Sequence, residues 1–429
     1  MDQAEIQQTL AAAGQAKRAG RRDEAVKLFQ SVIAKAGEQP VALNALGMSA
    51  LGDGDHARAI PLFRRAIAAD PHSPELWMNL AKAYRELGDD RGELEALQGA
   101  LAIDQRHFMA SVRLAEYHER TGADALAADR WSGVLTMASL MDQRPPAIEP
   151  ILDQARAQVA RYRASYAVDV ETGLAEARDR LPATQRRRFD ACIDHVLGRR
   201  QIYANQCAGL HFPFLPAEEF FEREHFPWLE QLEAKTDVIR AELEAILAED
   251  DPGILPYVSM EPGTPTNKWS PLDKSLAWGA LHLWKDGRRD DAVCARAPQT
   301  AAVVEALPLS DLPGRTPTVF FSLLRPGTHL PAHTGVSNVR AIIHLPLIVP
   351  DGCGFRVGGE TREWRVGEAF AFDDTIEHEA WNRSDRLRAI LIFDVWNPYI
   401  SETERDLLRR FYEVTNATGN AGDAAVSVG

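Results

Sequence analysis

The chain has 429 residues, 45% of them hydrophobic and 26% charged, a composition that excludes wholesale disorder, collagen and a small disulfide scaffold. With 48 Lys+Arg against 62 Asp+Glu the formal net charge is -14, a field that repels phosphate backbones, so nucleic acid is not an expected partner. The four cysteines (Cys192, Cys207, Cys294 and Cys353) form no CxxC pair and read as reduced thiols. The N-terminus, MDQAEIQQTLAAAGQ, lacks a signal-peptide core, and the most apolar run, Ala341–Pro350, is too short to span a bilayer. A soluble cytoplasmic protein with no membrane partner is expected.

The first part of the chain repeats. Gly20, Gly54, Gly88 and Gly122 stand 34 residues apart, as do Phe29, Phe63, Leu97 and Trp131. Small or aliphatic columns keep the same period: Ala12, Leu46, Leu80, Leu114; Ala13, Gly47, Ala81, Ala115; Val32, Ala66, Ala100, Val134. A small residue lets two helices cross closely, a large one fills the gap between pairs, and the turn glycine takes a left-handed backbone angle. The period and residue types resemble the tetratricopeptide repeat, which implies about four stacked helix pairs over residues 1–140.

After Pro145-Pro146 two helices are predicted, Pro150–Ser165 and Glu171–Leu197, split near Asp169, making residues 141–202 a helical cap or connector. From about residue 203 aromatics and prolines accumulate, followed by one predicted helix over Leu229–Leu247. Then come short β-branched and aromatic runs punctuated by glycines. Val319–Leu324, Arg340–Ile348, Ala369–Phe372, His378–Trp381 and Arg388–Val395 read as strands of a jelly-roll or barrel spanning residues 203–410. The small, polar end of the chain, 411–429, is expected to be a flexible tail. The fold class is thus multidomain α + β: a helical repeat superhelix, then a double-stranded β-helix.

Chemistry concentrates in the strand region. His329, His333, His344 and His378 are four of the twelve histidines. His333, a gap of 45 residues, His378, and then Arg388 ten residues on is an order that suits an iron oxygenase of the 2-oxoglutarate class. Two imidazoles hold Fe(II), and an arginine forks onto the far carboxylate of the cosubstrate. Most such enzymes place Asp or Glu two residues after the first His; here that residue is Gly335. From the residues alone, three cases stay open: a dead enzyme, a site where halide or water fills the gap, or a family that works with two His.

The segments FSLLRPGTHLPAHTGVSNVRAIIHL (Phe321–Leu345) and FAFDDTIEHEAWNRSDRLRAILIFDVWNP (Phe370–Pro398) closely resemble the aspartyl/asparaginyl β-hydroxylase family. That family lacks the carboxylate ligand and carries a glycine there. The resemblance implies Fe(II) held by His333 and His378, and 2-oxoglutarate anchored by Arg388 with help from Ser322. It puts His344 beside the chelating end of the cosubstrate, makes dioxygen the third reactant, and makes β-carbon hydroxylation of Asp or Asn in a protein or peptide the expected reaction. The repeats would recruit that substrate or a partner. The family commonly has Arg where this chain has Ile342, leaving Arg340 to supply positive charge. The alternatives are a hydroxylase of a lipid or small molecule, or a repeat scaffold with a silent barrel.

Overall fold

The computed structural model describes residues 2–418. The chain divides into two compact units, Met1–Arg187 and Arg188–Gly429.

In the first unit eight helices form four antiparallel pairs: α1 (Gln3–Arg18) and α2 (Arg22–Ala36), α3 (Pro40–Gly52) and α4 (His56–Ala69), α5 (Pro74–Leu87) and α6 (Asp90–Ile103), α7 (Phe108–Arg120) and α8 (Asp124–Ser139). The period-34 glycines all sit at the pair turns with φ between 74° and 80°, where a side chain would be strained. Phe63 and Trp131 are fully buried, and a Cβ added at Gly47 would come within 2.7 Å of the Phe63 ring. The close helix crossing inferred from the small-residue column is therefore real. Pro40 and Pro74 open helices where a missing N–H costs nothing, and the Asp55 and Asp89 side chains cap the helices that follow them. Buried Glu93 is paired with Arg120.

The next stretch corrects the sequence reading. One 31-residue helix, α9 (Glu149–Asp179), runs straight through Asp169, and α10 (Ala183–Val196) follows. No proline interrupts residues 151–181, and Pro182 supplies the break instead. The predicted helix over Leu229–Leu247 is also two pieces, α11 (Leu229–Glu233) and α12 (Thr236–Leu247). Glu233 accepts from Arg223 and from the backbone N–H of Ala369, which ties the end of α11 to the sheet and interrupts the helix.

The second unit is built on eleven strands: β1 (Leu255–Pro256), β2 (Trp278–Lys285), β3 (Arg288–Arg289), β4 (Val319–Leu324), β5 (His329–His333), β6 (Arg340–Ile348), β7 (Cys353–Val357), β8 (Glu360–Arg362), β9 (Phe370–Phe372), β10 (His378–Asn382) and β11 (Arg388–Trp396). A large sheet has the order β1-β2-β4-β11-β6-β9 with β3 on β2, and a smaller one has the order β5-β10-β7-β8. From β4 onward the chain passes back and forth between the two sheets, with the β7–β8 hairpin staying in the smaller one, which is the winding of a double-stranded β-helix. All five expected strands are present within a residue or so. Two short helices, α13 (Asp291–Arg296) and α14 (Pro298–Glu305), lie between β3 and β4 in sequence.

The outer face of the large sheet packs Leu345, Leu391 and Phe321 against Ile239, Leu243 and Val304. Between the sheets lies a second core holding Phe220, Phe355, Phe372, Ile342 and Ile390. Residues 411–417, expected as part of a flexible tail, are helical instead. Helix α15 (Glu402–Ala417) has a capping box at Ser401, and Tyr412 is buried in it. The rest of that expectation, 419–429, lies outside the described residues. Among the described residues no helix is long and apolar enough to cross a membrane.

Candidate active site

His333 ends β5 and His378 opens β10, and the two are direct cross-strand partners. Their ring centroids lie 4.0 Å apart. Each ring is held by its own strand: His333 Nδ1 donates to the Pro331 carbonyl at 2.7 Å, and His378 Nδ1 to the Ile376 carbonyl at 3.0 Å. A carbonyl can only accept, so both Nδ1 atoms carry the proton and both Nε2 atoms keep a lone pair. Burial, helped at His333 by the neighbouring His378, pushes the two imidazoles down to about 3 and about 4. They are neutral at pH 7, the state in which imidazole binds a metal. Among the described residues no three His, Cys, Asp or Glu side chains stand where they could share an ion. A metal here would therefore rest on two imidazoles plus oxygen atoms from cosubstrate and water, a donor set that suits a divalent iron.

Arg388, at the start of β11, is 1% exposed. Its Nη1 donates to Ser322 Oγ at 3.3 Å and to the Ser322 carbonyl at 3.4 Å, and its guanidinium lies 4.8 Å from the Trp364 ring centre. Trp278 Nε1 donates to the same Ser322 hydroxyl at 3.2 Å. No carboxylate among the described residues pairs with this cation, and burial lowers it to about 9. Arg388 Nε, Trp364 Nε1 and His344 Nδ1 are all buried without a hydrogen-bond partner among the described residues. Leaving a buried charge and several buried donors unsatisfied is costly unless a guest satisfies them. The chemistry these groups share fits a small anion rich in oxygen acceptors, such as a dicarboxylate. His344, in the middle of β6, packs against Phe355 at 4.9 Å and Phe372 at 4.8 Å. Burial first, then Arg388 and His378, holds it neutral, well below its ordinary value.

Arg340 behaves differently. Its Nη1 donates to Asp394 Oδ2 at 2.9 Å and its Nη2 to Asp374 Oδ2 at 3.2 Å. Burial alone would lower this guanidinium, but the two carboxylates outweigh it and hold it above its usual range. Its charge is therefore already matched. The structure brings His333, His378, His344, Ser322 and Arg388 together between the sheets, and it gives Arg340 to two carboxylates instead of a cosubstrate.

Gly335 faces Asp374. A Cβ at 335 would overlap the Asp374 carboxylate, whose Oδ1 is buried without a partner. The space next to the missing ligand position is thus filled by a carboxylate from the β9–β10 turn. The segment before the barrel straps both turns: Gln206 N–H donates to the Thr375 carbonyl, and Ala208 and Gly209 N–H to the Gly335 and Val336 carbonyls. Asp373 is turn chemistry, accepting from Thr375 N–H and Oγ1, and burial pushes it up to about 7. Sequence reasoning missed Trp278 and Trp364. Their placement comes from β2 joining the sheet and from the residues after β8 folding under Arg388, and no motif announces either.

The two-sheet β-helix thus holds paired neutral histidines towards one end and a buried arginine without a carboxylate towards the other, in a chain that begins with helical repeats. Residues 233–398 match the family model Aspartyl/Asparaginyl beta-hydroxylase, and residues 10–74 and 44–106 match Tetratricopeptide repeat. Over these residues the chain is similar to the aspartyl/asparaginyl β-hydroxylase family and to tetratricopeptide repeats.

The Aspartyl/asparaginyl beta-hydroxylase of Mus musculus is 39% identical over 141 residues, covering 32% of this chain and 19% of that protein. The Ornithine lipid ester-linked acyl 2-hydroxylase of Rhizobium tropici is 34% identical over 177 residues, covering 40% of this chain and 58% of that protein. The chain therefore spans about a fifth of the length of the first relative and just over half of the second. Among solved structures, that of MamA covers 37% of this chain at 17% identity with a TM-score of 0.31.

Proposed function

We propose that the second unit is a dioxygenase dependent on Fe(II) and 2-oxoglutarate that hydroxylates a carbon atom of its substrate. The observation that carries this reading is the fully buried Arg388, which has no carboxylate partner and shares its chamber with two neutral imidazoles whose Nε2 atoms are free. When bound, iron and cosubstrate supply the oxidation, with dioxygen consumed, 2-oxoglutarate converted to succinate and carbon dioxide, and one oxygen atom delivered to a C–H bond. His333 and His378 would hold the metal through Nε2. Arg388, Ser322 and Trp278 would hold the distal carboxylate of the cosubstrate. His344 and the phenylalanines around it keep water out of the chamber, and Asp374 beside Gly335 leaves no room there for a further side chain.

For the substrate, the expected reading is the β-carbon of an Asp or Asn side chain in a protein or peptide brought by the repeats, whose stacked helices suit protein recognition. One observation favours the second reading, a lipid or small molecule. Arg340 is spent on Asp374 and Asp394 and Ile342 is apolar, so this wall of the site offers no free cation to a substrate carboxylate. The similarity to an acyl 2-hydroxylase agrees with this.

The test is succinate formation by the full chain with Fe(II), 2-oxoglutarate and oxygen, beside His333→Ala and Arg388→Ala. Turnover that both substitutions abolish is the expected result. A folded chain that binds neither Fe(II) nor 2-oxoglutarate would leave the silent-scaffold reading.

A further inference from the structure

The rings beside the histidine pair differ from one side to the other. His378 is lined by phenylalanines, Phe372 at 5.3 Å and Phe355 at 6.0 Å, and Trp364 is stacked behind Phe355 at 5.5 Å. His333 instead meets a tryptophan: Trp269 stands edge-on to it at 4.8 Å. Trp269 faces Trp278 at 6.0 Å, and Trp278 is stacked on Tyr257 at 3.9 Å. Trp269 and Trp278 are buried, whereas Tyr257 is partly exposed and lines a surface cleft of about 1240 Å³ on the β1–β2–β3 side.

Rings packed on one another in this way admit no ligand, so the cleft and the chamber are closed to each other. Electrons need contact and not a passage. Indole and phenol side chains give up an electron far more readily than the phenyl ring of Phe. Volume alone does not call for that property, since Phe and Leu fill a core as well. Oxidisable rings thus run without a break from a candidate metal ligand to the surface, while the rings against His378 are of the inert kind. Lys268 Nζ lies over the Trp269 ring at 5.6 Å. A cation there disfavours further positive charge on that ring, so an electron lost from Trp269 is replaced from Trp278 and Tyr257.

We infer that Trp269, Trp278 and Tyr257 form a one-electron path between the histidine pair and the cleft, by which a small enediol reductant in the cleft discharges the centre when oxygen has reacted with no substrate in place. The inference rests on the hydroxylase reading for the source of the oxidant, and on the rings alone for the path. The overall step balances. 2-Oxoglutarate, dioxygen and the enediol give succinate, carbon dioxide, water and the diketone of the enediol. Two electrons leave the enediol one at a time along the rings. Its two protons go to water in the cleft, and two are taken up from solvent where the new water forms. With no reductant present the outermost ring is itself consumed. Tyr257 loses two electrons and two protons, gains one oxygen and one more pair of hydrogens from water, and ends as a catechol. An unspent oxidising equivalent in an enclosed site attacks whatever lies nearest, and this path moves the damage from the metal ligands to the surface.

The test uses the full chain with Fe(II), 2-oxoglutarate and oxygen, without any other substrate, in the presence and absence of ascorbate. Succinate and dehydroascorbate are quantified, and oxidised side chains are located by peptide mass mapping. Without ascorbate an added oxygen atom is expected on Tyr257. With ascorbate Tyr257 is expected to stay intact while dehydroascorbate forms in step with succinate. Tyr257→Phe is expected to lose this protection, so that oxygen appears on Trp269 or Trp278 even with ascorbate present. Anaerobic titration of the variant with Fe(II) and 2-oxoglutarate is expected to match wild type, which shows that it is folded. Succinate formation with Tyr257, Trp269 and Trp278 all unmodified, or equal protection of wild type and Tyr257→Phe by ascorbate, would overturn the path and keep the hydroxylase. Binding of Fe(II) and 2-oxoglutarate without succinate formation would also overturn the path, because no oxidant then arises without substrate. A folded chain that binds neither would sink the hydroxylase reading and the path with it.

Discussion

The two ends of the β-helix each bury an arginine, and they treat it in opposite ways. Arg340 at one end is clasped by Asp374 and Asp394. Arg388 at the other has a serine, a tryptophan face and no carboxylate. A buried cation with matched anions is architecture: it holds β6, β11 and the β9–β10 turn together and asks for nothing more. A buried cation without an anion is an unfinished pair, sustained by the rest of the fold because a ligand completes it. The residue type is the same in both cases, Arg340 being the less deeply buried of the two, and the partners tell structure from binding.

The largest effect should come from breaking the unfinished pair. Arg388→Met is expected to cost about 3–5 kcal/mol in 2-oxoglutarate binding, about two to four orders of magnitude in affinity, while leaving the ligand-free chain at least as stable as wild type. Titration calorimetry and thermal unfolding measure the two halves. Loss of stability without loss of affinity would mean that Arg388 is structural after all.

Arg340→Met should do the reverse, destabilising the ligand-free chain by about 3–5 kcal/mol, because it strands two buried carboxylates. The loss should be smaller at pH 5 than at pH 8. Even with Arg340 present, burial pushes Asp394 up to about 6. Without it the folded-state value rises further, so the stranded carboxyls are neutral at low pH and stability falls as pH climbs through that value. Denaturant unfolding at the two pH values decides, and an equal loss at both would show that the pair carries no net charge dependence.

The smallest effect concerns His378. Its folded-state value of about 4 lies below the ordinary 6.5, so the unfolded chain binds more protons between those values and stability falls as pH drops through this window. At pH 5 the metal-free wild type should have lost about 2 kcal/mol from this group relative to pH 7.5, and His378→Gln should abolish that part of the loss. Comparing the pH dependence of unfolding for the two proteins isolates the contribution. Identical slopes would place His378 in a solvated setting that its burial contradicts.

Much of this was legible in the sequence because it is periodic or local. The glycine period announced the repeats, since a left-handed turn at Gly54 or Gly88 follows from residue type alone. Runs such as Arg340–Ile348 announced strands. His333, His378, Arg388, Ser322 and His344 were found through the quoted segments, and the fold brings them into one chamber. What the sequence did not announce depends on facing surfaces. Asp374 covering Gly335, Trp278 reaching Ser322, Trp364 under Arg388 and the double commitment of Arg340 all require knowing which strand lies beside which. The helix through Asp169 was misread for another reason: a polar residue on an exposed helix face carries no stop signal of its own.

The direct pairing of His333 with His378 across β5 and β10 has a consequence for how the centre would be tuned. Each imidazole is fastened to the main chain two residues earlier, so the bite of the pair is written in strand register and not in rotamer choice. The ladder is irregular between His378 and Ala380, one step past the paired position. A bulge there lets the remainder of β10 shift against β5 without carrying the donor pair along, whereas a full one-residue slip would turn His378 out of the chamber altogether. The backbone thus acts as the caliper of the site.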